Sequence, residues 1–215
     1  TLVSSDIVEI AYLGKAVATQ TPAIGTVTND MLSGSIANSK LSNSSITLNG
    51  SAVSLGGSAT VGGDNTPAFA VNLGSNQSIS NATDTKVQFN SEVFDTDNAY
   101  DNSSNYRFTP QTAGKYFIYM LVLIEAGANN NNCDYVYGEI RKNGTAVTFN
   151  MLDFRDDRDG RKFSVGGSVI VDMNGSSDYV EGWGTGSFNV TGDLRFAGGG
   201  AKSIFGGYKI ITWVI

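Results

Sequence analysis

Histidine is absent from the chain, and cysteine occurs once, at Cys133. Ser-His-Asp and Cys-His catalysis, and zinc or haem sites built on His or Cys, therefore have no residues to be made from. A single cysteine forms no intrachain disulfide, so the fold must rest on buried apolar area and on association rather than on covalent staples. Charge is sparse too, at 16% of residues, with a formal net charge of -6 and a pI near 4.5. That balance excludes a nucleic-acid partner, which needs a basic stripe to displace counterions from phosphate. The longest apolar run, Tyr116 to Ile124, is nine residues, against roughly 20 for a membrane helix, so no membrane insertion is expected. The first residues lack a basic start followed by an apolar stretch, so no secretory signal is expected there. Thr1 in place of Met leads us to expect processing or trimming.

What is present is 26 Gly, 3 Pro and 40% hydrophobic residues in 215, a composition that suits a folded β protein and neither a coiled coil nor a collagen. The chain has two grains. Residues 1–65 contain two basic side chains, Lys15 and Lys40, and four acidic ones among Ser, Thr, Gly, Asn and small aliphatics. Residues 66–215 carry both Trp and 12 basic against 16 acidic groups, which fits a compact domain of about 150 residues. The Gly62-Gly63-Asp64-Asn65 turn marks the boundary.

Within the first part, Leu32-Ser33-Gly34-Ser35-Ile36 returns as Leu41-Ser42-Asn43-Ser44-Ser45-Ile46. Leu48-Asn49-Gly50-Ser51-Ala52-Val53 likewise returns as Leu55-Gly56-Gly57-Ser58-Ala59-Thr60-Val61. Such sparse aliphatics cannot fill a core within one chain but can pack against identical copies, which predicts an extended fibrous shaft shared between chains. A flexible Gly/Ser linker is the alternative, and the regular return of Leu, Ile and Val argues against it. In residues 1–20, Ile7, Ile10, Ala11 and Leu13 have the loose spacing of a short amphipathic helix.

The second part alternates like an antiparallel β protein. Strands are predicted over 86–94, 105–108, 115–124, 134–142, 145–151, 163–173, 178–183 and 203–215, with no helix after residue 66. Asn143-Gly144 supplies the two positive φ angles of a type I′ hairpin turn, and Asp159-Gly160 and Asn174-Gly175 have the same chemistry. Strands with turns every ten or so residues predict a sandwich or jelly roll.

The order of several short phrases resembles the globular heads of the complement q and tumour-necrosis-factor superfamily. They are Pro67-Ala68-Phe69-Ala70, Val87-Gln88-Phe89-Asn90, Arg107-Phe108-Thr109-Pro110, Ala113-Gly114-Lys115-Tyr116-Phe117-Ile118-Tyr119, Ile140-Arg141-Lys142-Asn143-Gly144, Gly167-Ser168-Val169-Ile170-Val171, Asp178-Tyr179-Val180 and Ser203-Ile204-Phe205-Gly206-Gly207-Tyr208. The pattern departs from those heads at Ser177-Asp178, where a glycine-aspartate pair is usual. The resemblance implies a ten-stranded antiparallel jelly-roll sandwich, a homotrimer, and on occasion a bound calcium; no other cofactor is implied. The first part resembles the shafts of phage tail fibres, in phrases such as Ser39-Lys40-Leu41-Ser42-Asn43-Ser44-Ser45-Ile46-Thr47. Together the two resemblances imply an all-β homotrimeric virion protein. Its shaft segment, residues 1–65, would meet other virion proteins at the N-terminus, and its head, residues 66–215, would adhere to a host surface glycan or protein.

If strands alternate in direction as in that family, the connections 125–133, 152–162 and 184–202 lie together at the end away from the shaft, where binding loops are expected. They supply the candidate receptor residues Asn129, Asn130, Asn131 and Asn132, the charged run Asp153, Arg155, Asp156, Asp157, Arg158 and Asp159, and Trp183 nearby. The charged run reads either as a self-neutralising solvated hairpin or, with three copies around an axis, as a ring suited to a charged glycan or to calcium through Asp156, Asp157 and Asp159. Asp95, Asp97 and Asp101 are a second calcium candidate, or a turn held by carboxylate-to-backbone hydrogen bonds. The asparagine run reads as a turn former or as a hydrogen-bonding surface for sugar hydroxyls. Trp183, Tyr135 and Tyr137 could stack on sugar rings if they face outward. Alternation sets Tyr135 and Tyr137 on the face of Glu139, opposite Val136 and Ile140. Trp213 and Phe205 are assigned to the core or to a contact between chains.

Three functions fit. The chain is an adhesive fibre head multiplied by avidity, a non-adhesive decoration of the particle, or a glycan depolymerase using paired carboxylates. The sequence disfavours the enzyme, because most of its carboxylates sit beside Arg or Lys, which holds them ionised, whereas a general acid needs a raised pKa.

Overall fold

In a computed structural model of the chain, residues 24–25, 31, 34, 36–48, 50–59, 64–127, 132–189 and 193–211 are described, with the backbone alone at 39 and 155–159. The chain divides into two units, Thr1–Gly62 and Gly63–Ile215. The expected helix in residues 1–20 lies outside the described residues.

The described part of the first unit is built on a hairpin of β1 (Ser45–Leu48) and β2 (Ser51–Ser54), with Ile46 opposite Val53. A 3-10 turn at Asn38–Lys40 precedes it, and the Asn38 side-chain amide donates to the Leu55 carbonyl. The hairpin is too small to hide its aliphatics: Ile46 remains 50% exposed and Leu41 39%.

In the second unit the strands are β3 (Ala68–Asn72), β4 (Gln77–Ser78), β5 (Thr85–Lys86), β6 (Ser91–Asp95), β7 (Tyr100–Asp101), β8 (Arg107–Phe108) and β9 (Ala113–Glu125). They continue with β10 (Asn132–Lys142), β11 (Thr145–Ala146), β12 (Asn150–Asp159), β13 (Lys162–Asn174), β14 (Val180–Phe188), β15 (Arg195–Phe196) and β16 (Ile204–Lys209). Among the described residues, eight of these strands have five residues or more and six have two, and they form two facing sheets of a jelly-roll-like sandwich. One sheet runs β4-β15-β9-β16-β3-β6, with β13 on β9; the other runs β11-β10-β14-β8-β7, with β12 on β10 and β5 on β14.

Alternation explains which side chains lie between the sheets. Along β9, Tyr116, Ile118, Met120, Val122 and Ile124 are buried, and the intervening residues point away. From the other sheet Val136, Ile140, Val180 and Phe188 close the core. Phe69 is its aromatic hub, stacked on Phe108 at 4.2 Å and Tyr100 at 5.2 Å, with Phe205 edge-on at 5.1 Å. Each such side chain contributes about 1.5–3 kcal/mol on burial. Phe205 belongs to this core, as its place on the closing strand suggests, whereas Trp213 lies outside the described residues. The closing strand is shorter than predicted, ending at Lys209, and it is central, hydrogen-bonded to both β3 and β9.

Asn143 and Gly144 have φ of 51° and 81°, and Lys142 pairs with Thr145 across them, the type I′ geometry the dipeptide predicts. The predicted strand 86–94 is two pieces, β5 and β6, with the buried Val87 and Phe89 between them. The single cysteine is buried on β10, and burial, with Asp134 alongside, pushes its thiol up to about 12, which keeps it protonated and unreactive.

Candidate functional site

The strand ends that border the three expected connections lie side by side, whereas residues 128–131 and 190–192 of those connections lie outside the described residues. Across β9, Glu125 pairs with Lys162 and with Arg195, while Asn132 pairs with Asp159 and Cys133 with Phe188. Glu125 is the tie point there, with Oε1 2.7 Å from Arg195 Nε and Oε2 3.0 Å from Lys162 Nζ. Burial alone would raise its carboxyl, but the hydrogen bonds from Arg195 and Lys162 hold it below the usual range.

The candidate residues do not converge on that end as a set. Asn129, Asn130 and Asn131 lie outside the described residues, and Asn132 opens β10, its carbonyl accepting the Asn189 N–H at 3.0 Å. The stretch from Asp153 to Asp159 is not a loop: it is strand β12, paired with β10 through Asp153 opposite Tyr135, Arg158 opposite Cys133 and Asp159 opposite Asn132. The backbone of Arg155, Asp156, Asp157, Arg158 and Asp159 is therefore extended, and the connection reduces to Gly160 and Arg161. Charge masked the strand in the sequence, since an edge strand tolerates charged residues that a core strand does not. As for calcium, the side chains of Asp156, Asp157 and Asp159 lie outside the described residues, and among the described ones no group of three or more Asp, Glu or Cys is placed to hold a metal ion. Asp95 accepts from the Asp97 and Tyr100 N–H groups, and Asp101 from those of Ser103, Ser104 and Asn105. The hydrogen bonds from Ser104 and Ser103, the largest of these effects, hold the Asp101 carboxyl far below the carboxylate range, as befits a turn former.

Trp183 is also not apical. It sits mid-strand on β14, opposite Glu139 of β10 and Lys86 of β5. β14 runs five residues beyond the predicted end because the sequence alternates Gly182, Gly184 and Gly186 with Trp183, Thr185 and Ser187. The glycines face the opposing sheet: a Cβ on Gly182 would lie 2.5 Å from Met120 Sδ, and one on Gly186 2.9 Å from Ile124 Cγ2. Their small size lets the two sheets approach, and the period-2 signal is carried by glycine rather than by apolar residues.

The outward face of β10, β12 and β14 gathers the remaining chemistry. The Arg141 guanidinium lies 4.1 Å over the Trp183 ring and bonds Glu139 and Asp84, while Lys86 Nζ pairs with Glu181 and stands 5.7 Å from the same ring. These contacts hold the Arg141 charge firmly, since hydrogen bonds to Asp84 and Glu139 outweigh its desolvation. One face of Trp183 is thus occupied by a cation, and its indole N–H has no hydrogen-bond partner among the described residues. Further along, Tyr135 and Tyr137 lie in nearly parallel planes, 8° apart with centroids at 6.2 Å, and Phe149 packs 5.2 Å from Tyr137. Val136 and Ile140 point the opposite way into the core, as alternation requires. Around the rings, Ser187 Oγ donates to Asp134 Oδ2 at 2.9 Å, Thr185 Oγ1 reaches Asp84 Oδ1 at 3.5 Å, and Asp153 is exposed.

The outward face of the other sheet is apolar. Phe117, Tyr119, Leu121 and Leu123 of β9 line up with Ile170 of β13 and with Ile204 and Tyr208 of β16. Ile170 is 58% exposed, Tyr208 39% and Leu121 38%.

No protein-family model matches this chain, and no curated protein matches it in sequence. Among solved structures, Eiger TNF from S. frugiperda is similar, at a TM-score of 0.50 and 10% identity, with 67% of this chain and 92% of that chain covered. Murine APRIL at pH 8.5 and at pH 8.0 aligns with TM-scores of 0.48 and 0.49, each at 10% identity over 66% of this chain and 98% of that one. At such identity the likeness to Eiger speaks for the fold alone: an all-β chain with a TNF-like jelly roll.

Proposed function

We propose that the chain is a structural adhesion protein of a phage particle: a homotrimeric fibre whose jelly-roll head recognises a host surface receptor and whose N-terminal segment joins other virion proteins. The observation that carries the reading is the apolar outward face of the β9 sheet. Exposed aliphatic and aromatic side chains in one continuous row are costly on a free monomer and characteristic of a contact surface. Further copies of the same chain are the occupants that fit, because the first unit also leaves Ile46 and Leu41 uncovered, and association of copies covers both sets together. Threefold repetition then multiplies weak contacts at the head by avidity, which suits adhesion. The fold relative lends a jelly roll to this reading and nothing more specific.

The test is the mass of the native protein in solution by light scattering, with and without a calcium chelator. A stable three-chain mass is expected, and a folded single-chain species overturns the fibre reading. Loss of the trimer on chelation would place calcium in the assembly.

A further inference from the structure

We propose that the outward face of β10, β12 and β14 is a saccharide-binding platform for uncharged pyranose units, with Tyr135 and Tyr137 as its stacking surface. The proposal rests on the adhesion reading and gives its receptor a chemical class and a place on the fold. Four observations meet on this face.

The two tyrosines are held nearly parallel, with Phe149 packed against Tyr137 and itself 60% exposed. Together they make an aromatic ridge on a rigid sheet, and the C–H faces of a pyranose ring pack on such apolar surface. Carboxylates flank the ridge, Asp134 beside Tyr135 and Asp153 opposite it on β12, while Thr185 and Ser187 are buried and bond Asp84 and Asp134. Burial, with Asp84 and Glu139 nearby, raises the Tyr137 phenol, so the hydroxyl stays protonated in neutral solution. Carboxylates also decide the ligand's charge. Asp84, Asp134 and Asp153 border the ridge, while the neighbouring cation Arg141 is committed to Asp84, Glu139 and the Trp183 ring. Among the described side chains, an anionic sugar would meet carboxylates with no unpaired cation beside them, whereas sugar hydroxyls donate to them directly. Trp183, covered by Arg141, is not the stacking residue.

The experiment titrates the full chain with maltohexaose, cellohexaose, mannohexaose and N-acetylchitohexaose, with sialylated and sulfated oligosaccharides as anionic counterparts, and reads saturation-transfer NMR and tyrosine fluorescence. At least one neutral saccharide is expected to bind. Tyr135→Ala and Tyr137→Ala should each weaken binding about tenfold, while Tyr137→Phe, which keeps the ring, retains it. Circular dichroism confirms that each variant is folded, and Asp134→Asn, which leaves the ridge intact, should weaken the same binding. No binding by any neutral saccharide, binding unchanged in both alanine variants, or preference for the anionic sugars overturns the platform. The light-scattering mass separates the two readings: a three-chain mass without saccharide binding sinks the platform alone, and a single-chain mass sinks the fibre.

Discussion

Glu125 and Arg195 face each other across the β9–β15 pair, with Arg195 Nε donating at 2.7 Å to Oε1. Because Lys162 takes the other oxygen, one carboxylate ties the β9, β13 and β15 ends together at one end of the sheet. Glu125 is 5% exposed, so its loss leaves charge-assisted hydrogen bonds unmade in a largely dry setting. Glu125→Gln should cost about 2 kcal/mol, a fall in Tm of about 4–8 °C at neutral pH. The pH dependence follows from the lowered carboxyl. A group whose folded pKa lies below its unfolded value stabilises fully above the unfolded value, and that contribution disappears as pH falls through the folded one. Melting curves of the native and Gln chains should therefore begin to converge as the pH falls below about 4.3, the ordinary Glu value, and meet once it has passed the lowered folded one. A gap that persists there would show that Glu125 acts through packing instead.

Phe69 touches Tyr100, Phe108 and Phe205 and is 1% exposed. Truncation there removes a ring that both sheets share. Phe69→Ala should cost about 3–5 kcal/mol, read as a shift of the urea midpoint at unchanged slope. A cost below about 1 kcal/mol, the scale of an ordinary surface substitution, would contradict the hub role.

Glycine at 182 is a packing requirement, since an added Cβ would lie 2.5 Å from Met120 Sδ and 2.9 Å from Phe89 Cε2. Gly182→Ala should destabilise by about 1–3 kcal/mol through overpacking. Pairing it with Met120→Ala, which opens that space, should recover part of the loss, and a double-mutant cycle with no coupling would remove the explanation.

The same glycines show where the sequence was legible and where it was not. Tyr116 to Ile124 alternates apolar residues on both faces of a strand, and Asn143-Gly144 names its own turn, so β9 and the β10–β11 hairpin could be read directly. Gly182-Trp183-Gly184-Thr185-Gly186-Ser187 has the same period of two, but its inward positions hold no apolar side chain to register, and β14 was cut short. Asp153 to Asp159 failed for the opposite reason, because charge on an edge strand looks like a loop. Those two misreadings dispersed the candidate site: they placed Trp183 and the acidic run at the tip, whereas Trp183 and Asp153 belong to the sheet face that bears Tyr135 and Tyr137. The facing of those tyrosines was correctly available from alternation alone. Their neighbour Asp84 comes from a distant stretch of chain, and pairing of that kind leaves no local signal.

Assembly and folding can be separated at Leu121. Its side chain points outward from β9, opposite Gly166 on β13 and Ile204 on β16, and is 38% exposed, while Met120 and Val122 on either side are buried. A charge at 121 therefore leaves the core untouched but becomes an unpaired buried charge once another copy covers the face. Leu121→Glu should keep the native circular dichroism spectrum and reduce the light-scattering mass from three chains to one. Restoring the apolar surface with Leu121→Met should restore the three-chain mass. A Glu variant that stays trimeric would move the contact to another surface of the head.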